Sequence, residues 1–237
     1  MTLCLDSLMP SFLNIHAHRS SVSPCETVVR NFILPLETQA LRLELPCGWF
    51  SAGIHPWHLP EAPEESLRQL DVLTHSPRCL AIGEVGLDKC RDASFALQRE
   101  IFMRQLELAS DRRLPVIIHC VKAWSELWAV VKEIRPATAC VIHGFRGKPQ
   151  LAESLLAQGF YLSFGRCYNA DSLRLCSPGR LFLETDEAPH SVETVYCAAA
   201  SLRGCTPEEL NTQCWENLRQ IMRMSGNRTV PVPLKET

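Results

Sequence analysis

No stretch of this 237-residue chain approaches the roughly 18 consecutive apolar residues that a membrane-spanning helix needs. No membrane partner is therefore expected. The first twenty residues lack a charged segment followed by a long apolar one, so a secretory leader is not expected either. There is no block of like charge. Lys and Arg total 24 against 26 Asp and Glu, and the net charge is −2. That excludes nucleic-acid affinity through bulk charge, which needs clustered Lys and Arg, and leaves a local basic rim open. Low-complexity segments, short repeats and Gly/Ser linkers are also missing, so one domain over residues 1–237 is expected. No two cysteines are spaced CxxC, although there are 12 of them. Several, including Cys79, Cys140 and Cys197, lie in apolar runs, where cysteine behaves as a small buried hydrophobe. A disulfide framework belongs to smaller, loop-rich secreted chains. Reduced thiols and a cytoplasmic location are the expectation, with no stable protein partner implied.

What the chain does have is alternation. With 46% apolar and 21% charged residues, it has the composition of a globular core. Short apolar runs at Phe12–His16, Trp49–His55, Cys79–Glu84, Pro115–Cys120, Ala139–His143, Phe160–Phe164 and Leu181–Thr185 read as strands bounded by Gly, Pro or polar residues. An eighth falls in Thr27–Leu34, with bounds the pattern does not fix. Between them run helical patterns. Ser94–Arg113 sets Phe95, Leu97, Ile101, Phe102, Leu106 and Leu108 near one face. Ala123–Ile134, Gln150–Gln158 and Pro207–Met224 are similar. Thr206 before Pro207, with Glu208 and Glu209 behind, is suited to start a helix. Apolar strands alternating with amphipathic helices mean a parallel sheet covered by helices. The expected fold is α/β, a TIM-like (β/α) barrel of seven or eight strands.

Six metal-compatible side chains favour closure over an open sheet. His16, His18, Glu84, His119, His143 and Asp186 sit at or just beyond the ends of five of these apolar runs. Only a closed barrel brings the ends of its first and last strands together. His16 and His18, two apart, face the same side of a strand, although a His-x-His pair alone is weak evidence. Glu84 lies between Gly83 and Gly86, which allow a tight turn and close backbone approach. A carboxylate there could bridge two cations. Asp88 is readable as an acceptor behind a ligand or as a helix cap. Asp186 is placed to take a proton from a water and pass it to a leaving group.

Taken together, His16-Ala17-His18, Gly53-Ile54-His55-Pro56-Trp57-His58, Ile82 to Asp88, Leu114 to His119, His143-Gly144-Phe145, Glu184-Thr185-Asp186 and the closing Trp215-Glu216-Asn217-Leu218 resemble the TatD family of metal-dependent hydrolases, within the amidohydrolase-like superfamily. The match in order and spacing extends over nearly the whole chain. The resemblance implies a TIM-like barrel, one or two divalent ions, and phosphoester hydrolysis, often of DNA. By position it assigns His16, His18, Glu84 and Asp186 to a first metal and Glu84, His119 and His143 to a second, with Glu84 bridging and Asp186 as general base. Two cations roughly 3.5–4 Å apart can clamp the attacking and leaving oxygens of a phosphodiester. Mixed nitrogen and oxygen donors accept Zn, Mn, Co or Ni, and Mg remains open.

The chain departs from the family's pattern around that centre. Asn14 stands where relatives usually carry an acid, and could still orient a histidine. Cys120-Val121-Lys122 replaces the usual Ser-Arg that precedes an acid. Glu187 is inserted before Ala188-Pro189, and Lys89-Cys90-Arg91-Asp92 lacks the usual aromatics. These changes alter the rim rather than the ligands. Lys122, Arg146, Lys148 and Arg166 follow strand ends and are candidates to bind substrate phosphate, as is His58, whose alternative is a structural role around Trp57. Cys120 has no partner base and reads as packing or as support behind a ligand. The expected substrate is nucleic acid or another phosphoester. The alternatives are an ester or amide hydrolase, such as an aminoacyl-tRNA deacylase or cyclic amidohydrolase, and a non-catalytic metal-binding barrel.

Overall fold

The computed structural model describes residues 11–21, 23–37, 48–91 and 93–226. Eight strands form one sheet in chain order: β1 (Phe12–Ala17), β2 (Glu26–Ile33), β3 (Phe50–Gly53), β4 (Cys79–Asp88), β5 (Val116–Val121), β6 (Cys140–Ile142), β7 (Tyr161–Phe164) and β8 (Leu181–Leu183). Every neighbouring pair is parallel. The last strand returns to the first through a bridge between Ala17 and Asp186. There the Asp186 N–H donates to the His16 carbonyl (3.1 Å) and the His18 N–H to the Asp186 carbonyl (3.2 Å). The sheet is thus a nearly closed barrel. The strand left open over Thr27–Leu34 is β2.

Among the described residues the helices are α1 (Pro63–Thr74), α2 (Phe95–Arg112), α3 (Trp124–Ile134), α4 (Pro149–Ala157), α5 (Ala170–Leu175), α6 (Val192–Arg203) and α7 (Pro207–Met224). The hydrophobic periodicity marks α2, α3, α4 and α7. The first turn of α7 is a capping box: Thr206 accepts from the Glu209 N–H (3.1 Å), and the Glu209 carboxylate accepts from the Thr206 N–H (2.9 Å). Its buried face explains the Trp215-Glu216-Asn217-Leu218 motif. Trp215 Nε1 donates to the Ser11 carbonyl (2.9 Å), and Asn217 Nδ2 donates to the carbonyls of Pro178 and Leu181 (2.7 and 2.8 Å). One helix therefore buttons both edges of the barrel seam.

Helix α2 buries Gln98 and Gln105 beside Ile101, Phe102 and Leu106. The apolar face read from the sequence is interrupted by these two amides because both hold strand-end backbone. Gln105 pairs with both peptide groups of Ile54 (2.7 and 3.2 Å), and Gln98 with both of Asp88 (2.8 and 3.0 Å). Buried backbone groups that leave a sheet must find partners, and these two amides supply them beside the barrel mouth.

The described cysteines are all free. Cys79 and Cys140 are buried as expected, but Cys197 is exposed. It falls one position off the face of α6 that packs inward through Val192, Val195, Tyr196, Ala199 and Ala200.

Candidate metal centre

Glu84 is the hub. It lies inside β4 rather than at a strand end, because β4 runs on to Asp88. Glycine makes that possible. A Cβ on Gly86, whose φ is +140°, would stand 2.0 Å from the His119 carbonyl oxygen, so β4 and β5 approach only with a bare Cα there. No tight turn forms. Instead the β4–β5 register shifts between Ile82 and Val85, a local irregularity of the kind that re-aims a side chain. Glu84 points inward and is 3% exposed.

Its two oxygens face two different pairs of histidines. Oε2 lies 3.3 Å from His16 Nε2 and 3.2 Å from His18 Nε2. Oε1 lies 2.8 Å from His119 Nδ1 and 2.7 Å from His143 Nε2. Asp186 flanks the first pair, with Oδ1 3.8 Å from His16 and 3.4 Å from His18. Asp186 adopts φ 56°, a left-handed conformation that Asp tolerates better than most residues. All six residues expected as ligands therefore meet in one place.

Carboxylates hold the second pair from behind. Asp88 Oδ2 lies 3.3 Å from His119 Nε2 and accepts from the Trp57 indole N–H (2.6 Å), while Oδ1 accepts from the Cys90 N–H (2.7 Å). Glu184 Oε1 lies 3.3 Å from His143 Nδ1 and accepts from the Gly144 N–H (2.7 Å), and Ser163 Oγ donates to Oε2. Such outer carboxylates fix ring orientation and tautomer. Asp88 thus stands behind the His119 ring, on the side away from Glu84. Glu184 was named only within a motif, since its alternation with Asp186 on a strand end gives no sign that it turns to His143.

His55 is the residue that sequence reasoning left without a role. It is buried, and Nε2 lies 3.0 Å from Glu84 Oε1. Its Nδ1 accepts from the Trp57 N–H (3.1 Å), which leaves the proton on Nε2 to donate to Glu84. His55, Glu84 and His119 are close enough to share a cation. The hydrogen bonding nonetheless makes His55 a donor that steadies the carboxylate, because its lone pair is already used. Asn14 does not orient a histidine. Its Nδ2 donates to Glu26 Oε1 and Thr185 Oγ1 (both 2.7 Å), and its Oδ1 accepts from the Thr185 N–H (3.1 Å). It ties β1 to its neighbours instead.

Charge in the cluster is strongly coupled. Burial alone would raise Glu84. The His143 charge and the bonds from His119 and His143 outweigh it and hold the carboxyl well below the ordinary range. Burial opposes a charge on His143, but Glu84 and Glu184 lift it well above 6.5. His18 is raised in the same way, Glu84 outweighing burial. Burial lowers His55, in keeping with a neutral ring. Burial raises Asp186, with the charges of Glu184 and Glu84 adding to it.

The donor set fits divalent cations. Neither ring nitrogen of His16 has a hydrogen-bond partner although the residue is fully buried, which is costly for an imidazole unless something else satisfies it. His119 Nδ1 and His143 Nε2 face each other at 3.2 Å. With their outer nitrogens directed at Asp88 and Glu184, two lone pairs converge, and only a proton or a metal reconciles them. His16, His18 and Glu84 form one group of ligand atoms within 4.8 Å of one another, and His16, His143 and Asp186 form another.

Around this centre, Lys122, Arg146 and Arg166 follow β5, β6 and β7 and are exposed. Lys148 stands at the residue before the first turn of α4, without a side-chain capping bond. His58 is half-buried, its N–H donating to the His55 carbonyl (3.0 Å) and its ring 5.9 Å from the His55 ring. Trp57, 41% exposed, carries the Arg91 guanidinium 3.7 Å from its ring centroid, so this loop keeps an aromatic surface from a different residue. Burial pushes the Cys120 thiol up to about 12, which agrees with a packing role.

The family described as TatD related DNase matches residues 34–223, and the chain belongs to it. His16 and His18 precede the matched segment, so their place rests on the geometry. The 3'-5' ssDNA/RNA exonuclease TatD of Erwinia billingiae (strain Eb661) is 34% identical over 209 residues, covering 74% of this chain and 78% of the relative. YabD of Bacillus subtilis (strain 168), described as an uncharacterized metal-dependent hydrolase, is 30% identical over 222 residues, covering 84% and 87%. The crystal structure of YJJV, a TatD homologue from Escherichia coli K12, overlays with a TM-score of 0.76 at 23% identity, covering 90% of this chain and 98% of that one. That likeness speaks for the barrel. Among the described residues no helix is long and apolar enough to cross a membrane.

Proposed function

We propose that this chain is a cytoplasmic, single-domain metal-dependent phosphodiesterase of nuclease type, acting on single-stranded nucleic acid. The observation that carries the reading is the division of Glu84 between two histidine pairs, Oε2 toward His16 and His18 and Oε1 toward His119 and His143. Such a split would let one carboxylate serve two cations. His16, His18, Glu84 and Asp186 would hold the first ion, and Glu84, His119 and His143 the second. Bound divalent ions supply Lewis acidity and make water a nucleophile at neutral pH. The name of the Erwinia relative supports single-stranded DNA or RNA as substrate.

The residues of the chain divide the remaining work. Asp186, with its carboxyl raised by burial and one third exposed, accepts a proton from the attacking water. The water oxygen bonds to phosphorus, the bond from phosphorus to the leaving sugar oxygen breaks, and Asp186 returns the proton to that oxygen. His55 holds Glu84 in place. His58, Lys122, Arg146 and Arg166 line the approach as phosphate contacts.

The test is hydrolysis of single-stranded DNA, RNA and bis(p-nitrophenyl) phosphate by metal-stripped protein reloaded with Mg, Mn, Co, Ni or Zn. Cleavage restored by a metal and absent from Asp186→Ala is expected. Metal uptake without cleavage of any of the three, joined by turnover of carboxylic esters or amides, would replace this reading with the carbonyl one.

A further inference from the structure

A cavity of about 340 Å³ opens between the loops that follow β7 and β8. Arg166 and Tyr168 come from the first loop, His190 from the second, and Thr194, Val195 and Ala198 from the start of α6. No carboxylate lines it. Its lining combines apolar surface from Tyr168, Val195 and Ala198 with the Arg166 guanidinium and the His190 imidazole, and the Tyr168 ring sits edge-on against Phe164 (centroids 6.5 Å apart, 86°).

Two polar atoms at this corner are buried without a partner: His190 Nε2 and Arg19 Nη1. Arg19 follows His18 directly. Its Nε donates to the Ala188 carbonyl (2.7 Å) and its Nη2 to the His190 carbonyl, which ties the loop of the first histidines to the cavity wall. Arg166 and His190 line the cavity itself, and a guanidinium beside an imidazole suits an anion. Burial, then the charges of Arg166 and Arg19, push His190 below its ordinary value, with Glu26 opposing them. His190 is four residues beyond Asp186, so the wall stands no more than about 14 Å from the candidate base along the chain. Loops after the seventh and eighth strands are also where barrels of this class commonly take phosphate.

We propose that this cavity is a nucleotide subsite. It takes one phosphorylated nucleoside of the substrate strand next to the linkage being cleaved, with the base against Tyr168, Val195 and Ala198 and the phosphate on Arg166 and His190. The inference rests on the phosphodiesterase reading and adds what that reading lacks, a reason for preferring a strand over a small diester. Base stacking on an aromatic side chain is sequence-tolerant and supplies affinity for single strands.

The experiment compares Tyr168→Ala and Ala198→Trp, which remove the platform and fill the cavity, with the unaltered metal-loaded enzyme. Rates are measured on a short single-stranded oligonucleotide and on bis(p-nitrophenyl) phosphate. The expected result is a kcat/KM on the oligonucleotide that falls at least about tenfold further than on the small diester, through KM, with metal content unchanged. Equal losses on both substrates, or none on either, overturn the subsite. Calorimetric titration with adenosine 5'-monophosphate, adenosine and inorganic phosphate separates this outcome from failure of the functional reading. Monophosphate binding tighter than that of either fragment, and weakened by both variants, sustains the subsite even if neither diester is cleaved. Phosphate binding as tight as the nucleotide reduces the cavity to an anion site and overturns it.

Discussion

The two sides of Glu84 are built differently. On the Oε1 side, His119 and His143 each have a buried carboxylate behind them, Asp88 and Glu184, and each of those is pinned in turn by Trp57, Cys90, Gly144 or Ser163. On the Oε2 side, His16 has no hydrogen bond at either nitrogen, and Asp186 is partly open to solvent. A ligand whose ring is already fixed loses little freedom on binding, and a carboxylate behind it raises its basicity. If the proposed ions bind, the Oε1 side is expected to be the preformed, tighter site, and the Oε2 side, carrying the exposed acid, the one suited to exchange and chemistry.

The largest break in that contrast is removal of the residue both sides share. Glu84→Gln is expected to lower metal content below one ion per chain and to abolish metal-dependent turnover, read by elemental analysis after dialysis and by single-turnover hydrolysis. Retention of both ions would show that Glu84 does not bridge. Next is Asp186→Ala, which removes the proton acceptor of the looser side. Turnover is expected to fall by about 10²–10⁴, the usual weight of general base catalysis, while the ion on the Oε1 side stays. His119→Ala probes the tight side directly, and is expected to weaken that ion without unfolding the chain, since His119 sits at the barrel mouth among polar groups. Glu184→Gln and Asp88→Asn leave every ligand in place and remove only the support. They are expected to weaken the tighter ion by about 10- to 100-fold and leave the weaker one unchanged, measured by competition with a chromophoric chelator. If the two ions weaken equally, the difference between the sides is not one of support.

How far the sequence shows this depends on where each group lies along the chain. The barrel is visible because its strands open on apolar runs, as in Cys79–Ile82, where every residue is buried. Of the clustered histidines, His16, His119 and His143 are visible because each closes or follows such a run. The supports are not. Glu184 is two residues from Asp186 on the same segment yet turns to His143, 41 positions away, and nothing in the local pattern records that turn. His55 reads as one of two histidines around Trp57, and only its Nδ1 contact to the Trp57 N–H settles its tautomer. Gln98 and Gln105 look like breaks in an apolar face, and their role is to bond backbone that the sheet leaves open. Groups that act through long-range partners are set by packing, which one sequence does not spell out. Cys197 shows the opposite error, where an apolar neighbourhood on α6 hides a one-position offset from the buried face.

The smallest effect is a proton count, and it probes the tight side without altering a residue. His143 lies well above its ordinary 6.5 and Glu84 well below its ordinary 4.5, so the metal-free fold favours the two as an ion pair. The raised His143 contributes stability that is fully present below 6.5 and lost as pH rises through its folded value. The depressed Glu84 contributes stability present above 4.5 and lost as pH falls through its folded value. This pair therefore favours the metal-free fold most between those two ordinary values. A cation needs the imidazole neutral, so at pH 7 its uptake must expel the His143 proton. Calorimetric titration in buffers of different ionisation enthalpy is expected to show about one proton released per ion on the tight side, with affinity rising as pH increases. Glu184→Gln removes one of the two carboxylates that hold that proton and is expected to reduce the release at pH 7. An unchanged proton count in this variant would mean that Glu84 alone sets the charge on His143, and that the support behind the ring acts on its orientation only.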